Sequence, residues 1–189
     1  MKPDSRRELI PRDKALRLIG TLTSLKAECS DNAEQWRLLD ESGHVPTEPS
    51  FTELFQHATN AQDLSREVLR LTADFAASPH STNRAGRATL AHLAMASTLS
   101  AHAASHFVET AESSLCLPRA STPTEQHYLK NRMVGDHATA RAYLRRTSES
   151  LRDAAKKLEG HLDFHRAFPA PAPRESPVQP PPRPNGRHR

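Results

Sequence analysis

The chain has 189 residues, with 26 Lys or Arg against 22 Asp or Glu and a formal charge of +4. Its length predicts one domain with a substantial core. The mixed-charge N-terminus does not resemble a secretory signal, and no segment has the ~20 predominantly apolar residues of a membrane span, so we expect no membrane segment. The six glycines are scattered singly. That spacing excludes the glycine-rich loops that hold phosphates or dinucleotides.

The positions of the prolines indicate where helices begin and end. Proline is costly inside a helix, so the long proline-free intervals are candidate helices. We predict helices at 12–42, 50–77, 83–116 and 123–165, preceded by an N-terminal arm at 1–11 in which Ser5–Ile10 can form a short helix. Long helices, short loops and the lack of strand alternation predict an all-α fold, an antiparallel up-down-up-down four-helix bundle of residues 12–165.

Local patterns support these helices. Ser50 to Glu53 and Thr122 to Glu125 have the spacing of capping boxes, in which side chains satisfy the free amides of a helix start. Apolar residues follow at steps of three and four, as in coiled-coil seams. The predicted buried positions are Ala15, Leu18, Leu22, Leu25, Cys29, Trp36 and Leu39 in the first helix, Leu54, Ala58, Ala61, Leu64, Val68, Leu71 and Phe75 in the second, and Met133, His137, Ala140, Leu144, Thr147, Leu151, Ala154 and Leu158 in the fourth.

The third predicted helix has an unusual composition. It carries no charged residue from Ala88 to Val108 and is rich in alanine and serine. Such a helix is expected to be buried from several sides, or to pair with another copy of the chain. Its predicted seam is Ala88, His92, Met95, Leu99, His102 and His106.

The fourth predicted helix is longer than the other three, so its last turns extend past the bundle. Those turns still carry the apolar seam, up to His161 or Leu162. Two arrangements would cover it. Residues Ser5–Ile10 fold over these turns, or the turns pair with another protomer.

Two cysteines are too few for a disulfide framework. In the predicted bundle Cys29 and Cys116 lie ~20 Å apart along the helix axes, whereas a disulfide needs α-carbons ~5 to 6 Å apart. We therefore expect two buried free thiols and a reducing, cytoplasmic compartment. The excess of arginine over lysine, 20 against 6, is typical of a GC-rich bacterial coding sequence.

Eleven histidines are many for this length. His102 and His106 are four residues apart, as are His161 and His165, so each pair shares a helix face and could chelate a metal ion. Half-buried histidines that hydrogen-bond across the bundle explain the same pattern, and we favour this interpretation. No cofactor or metal ligand set is predicted.

Basic residues concentrate in two places. A basic stripe on the fourth helix, which could contact phosphate or an acidic partner, comprises Arg141, Arg145, Arg152 and Lys156. Residues 166–189 are rich in Pro and Arg and predict a disordered tail with polyproline II character. This tail holds five Arg and one Glu, a net charge of +4, so the other 165 residues are neutral overall.

Three hypotheses about function follow. The first is a non-enzymatic interaction, assembly or regulatory protein that associates with itself or a protein partner, because no catalytic arrangement can be assembled from the seams. The second is a DNA-associated accessory protein that uses the basic stripe and the tail. The third is a metal or ligand site of histidines inside the bundle.

Overall fold

The computed structural model describes residues 10–167, with side chains described through residue 163. It contains the helices α1 (Arg12–Gln35), α2 (Phe51–Ala76), α3 (Arg84–Cys116) and α4 (Pro123–Ala167), with short 3-10 helices at Pro79–Thr82 and Leu117–Arg119. No strand occurs in this range, which confirms the all-α fold. Residues 1–9 of the predicted arm and 168–189 of the predicted tail, with its predicted disorder, lie outside the described residues; α4 continues to Ala167, two residues into the predicted tail.

Interhelical hydrogen bonds show that sequential helices are antiparallel. Arg141 and Ser148 of α4 donate to the carbonyl oxygens of Ala33 and Lys26 of α1. Because the later residue of α4 contacts the earlier residue of α1, the two helices run in opposite directions. In the same way α3 packs antiparallel to α2 and to α4. By contrast, few backbone contacts join α1 and α2, although buried side chains of both helices belong to the same hydrophobic core.

The helix starts are set by local capping, as the sequence predicts. The Glu53 amide donates to Ser50 Oγ at 3.3 Å, and the Glu125 amide donates to Thr122 Oγ1 at 3.1 Å. The Glu125 carboxylate accepts from the amide of Ser121, one residue before the expected position. Each contact satisfies an amide that has no partner within its helix.

The end of α1 differs from its predicted position. The helix stops at Gln35 rather than Ser42, because Trp36 adopts an extended conformation and turns its indole ring inward. The ring stacks on His57 and meets the edge of Phe107, with centroids 4.9 and 5.0 Å apart. Leu39, predicted to be buried, is exposed in the long α1–α2 connection.

The core is formed by the predicted seams of α1, α2 and α4, whereas that of α3 is rotated from its predicted position. Met95 and His102 are exposed, and Ala88, His92 and His106 are only partly buried. The buried face of α3 instead contains Thr89, Leu93, Ala96, Leu99, Ser100, Ala103, Ala104, Phe107, Thr110 and Ala111. Because α3 has small residues on every side, composition alone did not distinguish the two faces.

One described residue of the N-terminal segment, Ile10, contacts the last turns of α4. Ile10 is buried in the core, and its amide donates to His161 Nε2 at 3.0 Å. This contact agrees with folding of the N-terminal segment over α4, although residues 5–9 lie outside the described range. No helix in the described range is long and apolar enough to cross a membrane.

The cysteines are both free, but only one is buried. Cys29 is fully enclosed in the core, whereas Cys116 is exposed at the end of α3, which corrects the prediction of two buried thiols. The position of Cys116 at the last residue of α3 places it beyond the packed part of the helix.

Candidate interaction surface

One solvent-exposed face of α3 is unusual for a surface helix. Eight positions, separated by alternating steps of four and three residues, are all exposed and form what we call the α3 outer face: Arg87, Ala91, Ala94, Thr98, Ala101, Ser105, Val108 and Glu112. Their spacing is that of a coiled-coil seam. A helix pairing through such a seam would normally bury it, yet here it faces solvent.

The interior of the α3 outer face carries no charge. Five of its six inner members are Ala, Ser or Thr, and the sixth is Val108, 38% exposed. Uncharged small side chains let two helix axes approach closely and leave few charged groups to desolvate. Met95, 52% exposed, lies beside the face and enlarges its apolar area.

Opposite charges stand at the two ends of this face. Arg87 lies in the first turn of α3, and Glu112 lies in its last two turns. A helix dipole favours the reverse arrangement, with acidic residues near the N-terminus and basic ones near the C-terminus. The helix dipole therefore does not explain the positions of Arg87 and Glu112.

A second group of side chains joins α3 to α4 on a neighbouring face. His106 lies 3.2 Å from Asp136 and 3.4 Å from Glu109 through its Nδ1 atom. Tyr143 stacks against both His106 and His102, with ring centroids 5.8 and 5.3 Å apart. The sequence indicated the His102 and His106 pair but gave no sign of Asp136, which lies on another helix.

Buried histidines form a third group, which the sequence indicated only in part. His137 was predicted at a seam position, but its neighbour His57 was not singled out. Both are buried, with ring centroids 6.3 Å apart, next to Phe107. Burial, together with the nearby His57 and Arg141, lowers the pKa of His137 to about 4. Burial likewise lowers the pKa of His57, so the pair packs as neutral rings.

The basic stripe is divided by its contacts. Arg152 and Lys156 both lie near Asp153, at 3.2 and 3.8 Å. Arg141 is partly buried beside the end of α1, where its Nε donates to Ala33, while Arg145 is exposed. The structure thus separates the four predicted residues into a pair that shares one carboxylate and a pair beside α1.

Arg37 lies near the part of the basic stripe beside α1, although the sequence analysis did not assign it to the stripe. The pKa of Arg141 is lowered mainly by burial and then by the positive charges of Arg145 and Arg37, whereas Glu34 opposes the shift. Arg37 and Arg141 line a groove of about 450 Å³ between α4 and the α1–α2 connection, which the acidic Glu34, Asp40 and Glu41 also line.

Comparison of the chain with protein-family models, with curated proteins and with solved structures finds no match in any of the three.

Proposed function

We propose that this chain is an interaction protein rather than an enzyme, and that its bundle assembles into a two-fold dimer through the α3 outer face. The observation that supports the proposal is the uncharged, exposed seam with opposite charges at its ends. A two-fold interface brings the same surface of both subunits together, so that surface must complement itself. An uncharged centre meets this requirement directly.

The end charges favour an antiparallel arrangement of the two α3 helices. In a parallel pair Arg87 would lie near Arg87 of the second copy, and Glu112 near Glu112. An antiparallel pair that places Arg87 beside Glu112 of the second copy converts both repulsions into attractions.

The same antiparallel alignment places uncharged side chains of complementary size opposite each other. With Arg87 opposite Glu112, the facing pairs are Ala91 with Val108, Ala94 with Ser105, and Thr98 with Ala101. Each pair contains an alanine, so the two helix backbones can approach closely along the contact. The overlap from residue 87 to 112 covers about 37 Å at 1.5 Å per residue.

Light scattering and sedimentation over a range of concentrations test the assembly. We expect a dimer whose dissociation constant rises at least ~tenfold in Ala94→Glu, because a charge would be buried at the centre of the interface. Ala142→Glu is the matched control, since Ala142 is an exposed residue of α4 outside the α3 outer face. A strictly monomeric wild type at high concentration, or equal dissociation constants in the two variants, would contradict the proposal.

A charge exchange tests the register separately. Arg87→Glu and Glu112→Arg should each weaken the dimer about fivefold or more, and the double variant should recover most of the loss. If the single variants dimerise like the wild type, the antiparallel register is wrong even though the chain still dimerises.

A second candidate function, binding of a nucleic-acid backbone, is favoured by the grouping of Arg37, Arg141 and Arg145. Phosphate contacts release counterions, so such binding weakens steeply with salt. Fluorescence anisotropy with a labelled DNA duplex tests it. Removal of residues 169–189 together with Arg141→Glu and Arg145→Glu should abolish binding, whereas Arg66→Glu on α2 should not. Salt-independent binding would exclude this function.

A further inference from the structure

His106, Glu109 and Asp136 bring three metal-ligating atoms together at the α3–α4 edge. His106 and Glu109 are three residues apart on α3, and Asp136 approaches from α4. The Nδ1 atom of His106 lies 3.2 Å from Asp136 Oδ1 and 3.4 Å from Glu109 Oε2, and the three ligand atoms all lie within 4.8 Å of one another. Two helices thus contribute donors to one point.

These separations fit the coordination sphere of a small cation. Nitrogen and oxygen donors lie ~2.1 Å from a zinc ion, so two donors of a tetrahedral site are about 3.4 Å apart. The two distances from His106 already agree with this value. The two carboxylate oxygens lie within 4.8 Å of each other, and rotation of the Glu109 side chain, 38% exposed, can adjust their separation.

The carboxylates of Glu109 and Asp136 have little positive charge close to them. Glu109 and Asp136 contribute two carboxylates, and the guanidinium of Arg132 lies 3.5 Å from Asp136 Oδ2 in a loose ion pair. Oδ2 is buried and has no hydrogen-bond donor among the described residues. A carboxylate oxygen that is removed from water and only loosely paired is costly, and a divalent cation would supply the missing charge.

The imidazole is also held in position. The Tyr143 ring lies nearly parallel to that of His106, at an interplanar angle of 11°. This stacking restricts the plane of the ring whose Nδ1 atom lies near the two carboxylates. Ordering a ligand before the ion arrives lowers the entropic cost of binding.

From this geometry we infer that His106, Glu109 and Asp136 form a binding site for a divalent transition-metal ion of the zinc class. The imidazole nitrogen favours such an ion over Mg²⁺ or Ca²⁺, which prefer oxygen ligands. Three protein donors leave a fourth position for water at this partly exposed edge. Because Nδ1 must carry no proton to bind the ion, affinity falls as the pH is lowered.

Titration of the metal-free full-length protein with Zn²⁺ by calorimetry, and with Co²⁺ by visible absorption, tests the inference. We expect one equivalent of Co²⁺ to give the intense bands of a four- or five-coordinate ion. His106→Gln and Glu109→Gln should weaken binding at least ~tenfold. Zn²⁺ should raise the melting temperature of the wild type by mass action, and this increase should be lost in both variants.

His102→Gln is the matched control, since His102 is one turn from His106 and also stacks on Tyr143 but is not among the three ligands. It should bind Co²⁺ like the wild type. Loss of binding in His102→Gln equal to that in His106→Gln would replace the three-residue site by a His102 and His106 pair. No binding to the wild type, or unchanged binding in both His106→Gln and Glu109→Gln, would overturn the inference.

Discussion

At the scale of single residues, the two cysteines differ sharply in their surroundings. Burial, helped by the negative charge of Glu28, raises the pKa of Cys29 to about 12, whereas Cys116 is exposed. Because the thiolate is the reactive form, Cys29 should be almost inert in the folded chain. We expect a disulfide reagent at pH 8 to modify one thiol quickly and the other at least ~100-fold more slowly. Fast modification of the folded Cys116→Ser variant would contradict this assignment.

His137 makes stability depend on pH. Its pKa in the folded chain is about 4, below the ordinary value of 6.5, so the unfolded chain binds the proton more tightly. Stability contributed by the neutral ring is therefore complete above pH 6.5 and is lost as the pH falls toward 4. A difference of this size corresponds to a loss of up to about 3 kcal/mol.

Urea denaturation of the wild type and of His137→Phe, from pH 7.5 to 4.5, measures this loss. The free energy of unfolding should fall less steeply in the variant, which has no proton to bind at this position. Part of the slope should remain, because the pKa of His57 is lowered in the same direction. His127→Gln, a change at an exposed histidine of α4, serves as control. Equal slopes in all three proteins would contradict the role of His137.

At the scale of helices, glycine positions distinguish close packing from free surface. A Cβ atom added to Gly86, in the first turn of α3, would overlap the backbone carbonyl of His80 in the preceding 3-10 helix. Backbone moves less readily than a side chain, so Gly86→Ala should destabilise the fold by about 2 kcal/mol or more. Gly135 of α4 has open space around it, and Gly135→Ala should stabilise by up to about 1 kcal/mol. Thermal unfolding tests both predictions: the melting temperature should fall in Gly86→Ala and rise in Gly135→Ala.

Features that depend on contacts between residues close in sequence were predicted better than features that depend on contacts between helices. Capping boxes act within four residues, so the starts of α2 and α4 were predicted correctly. The end of α1 was not, because it depends on Trp36 packing against His57 and Phe107 of other helices. No proline or glycine marks that position in the sequence.

The same reasoning applies to the candidate sites. The uncharged character of α3 can be read from its sequence, but which of its faces points to solvent depends on where α2 and α4 pack. Similarly, His106 was recognised as a potential ligand, whereas its contact with Asp136 links residues 30 positions apart. Spacing within one helix cannot reveal a donor that tertiary packing supplies.

At the scale of the whole molecule, few backbone contacts join α1 and α2, so each of these helices has one close helical neighbour. Helix α1 packs along α4 and α2 packs along α3, whereas α3 and α4 each pack against two helices. Polar contacts at both ends and the middle of α1 join it to α4: Ile10 with His161, Lys26 with Ser148, and Ala33 with Arg141. A helix held from one side can open locally while the rest of the fold remains intact.

Hydrogen exchange measured by mass spectrometry should therefore show α1 amides exchanging at a lower free energy than those of α3. Ile10→Ala should widen this difference, because it removes a fully buried side chain at the point where the chain enters α1. Leu93→Ala, at an equally buried position of α3, should instead lower the exchange free energy of all four helices together. If α1 and α3 exchange at the same free energy in the wild type and in Ile10→Ala, the bundle opens as one unit despite the few contacts between α1 and α2.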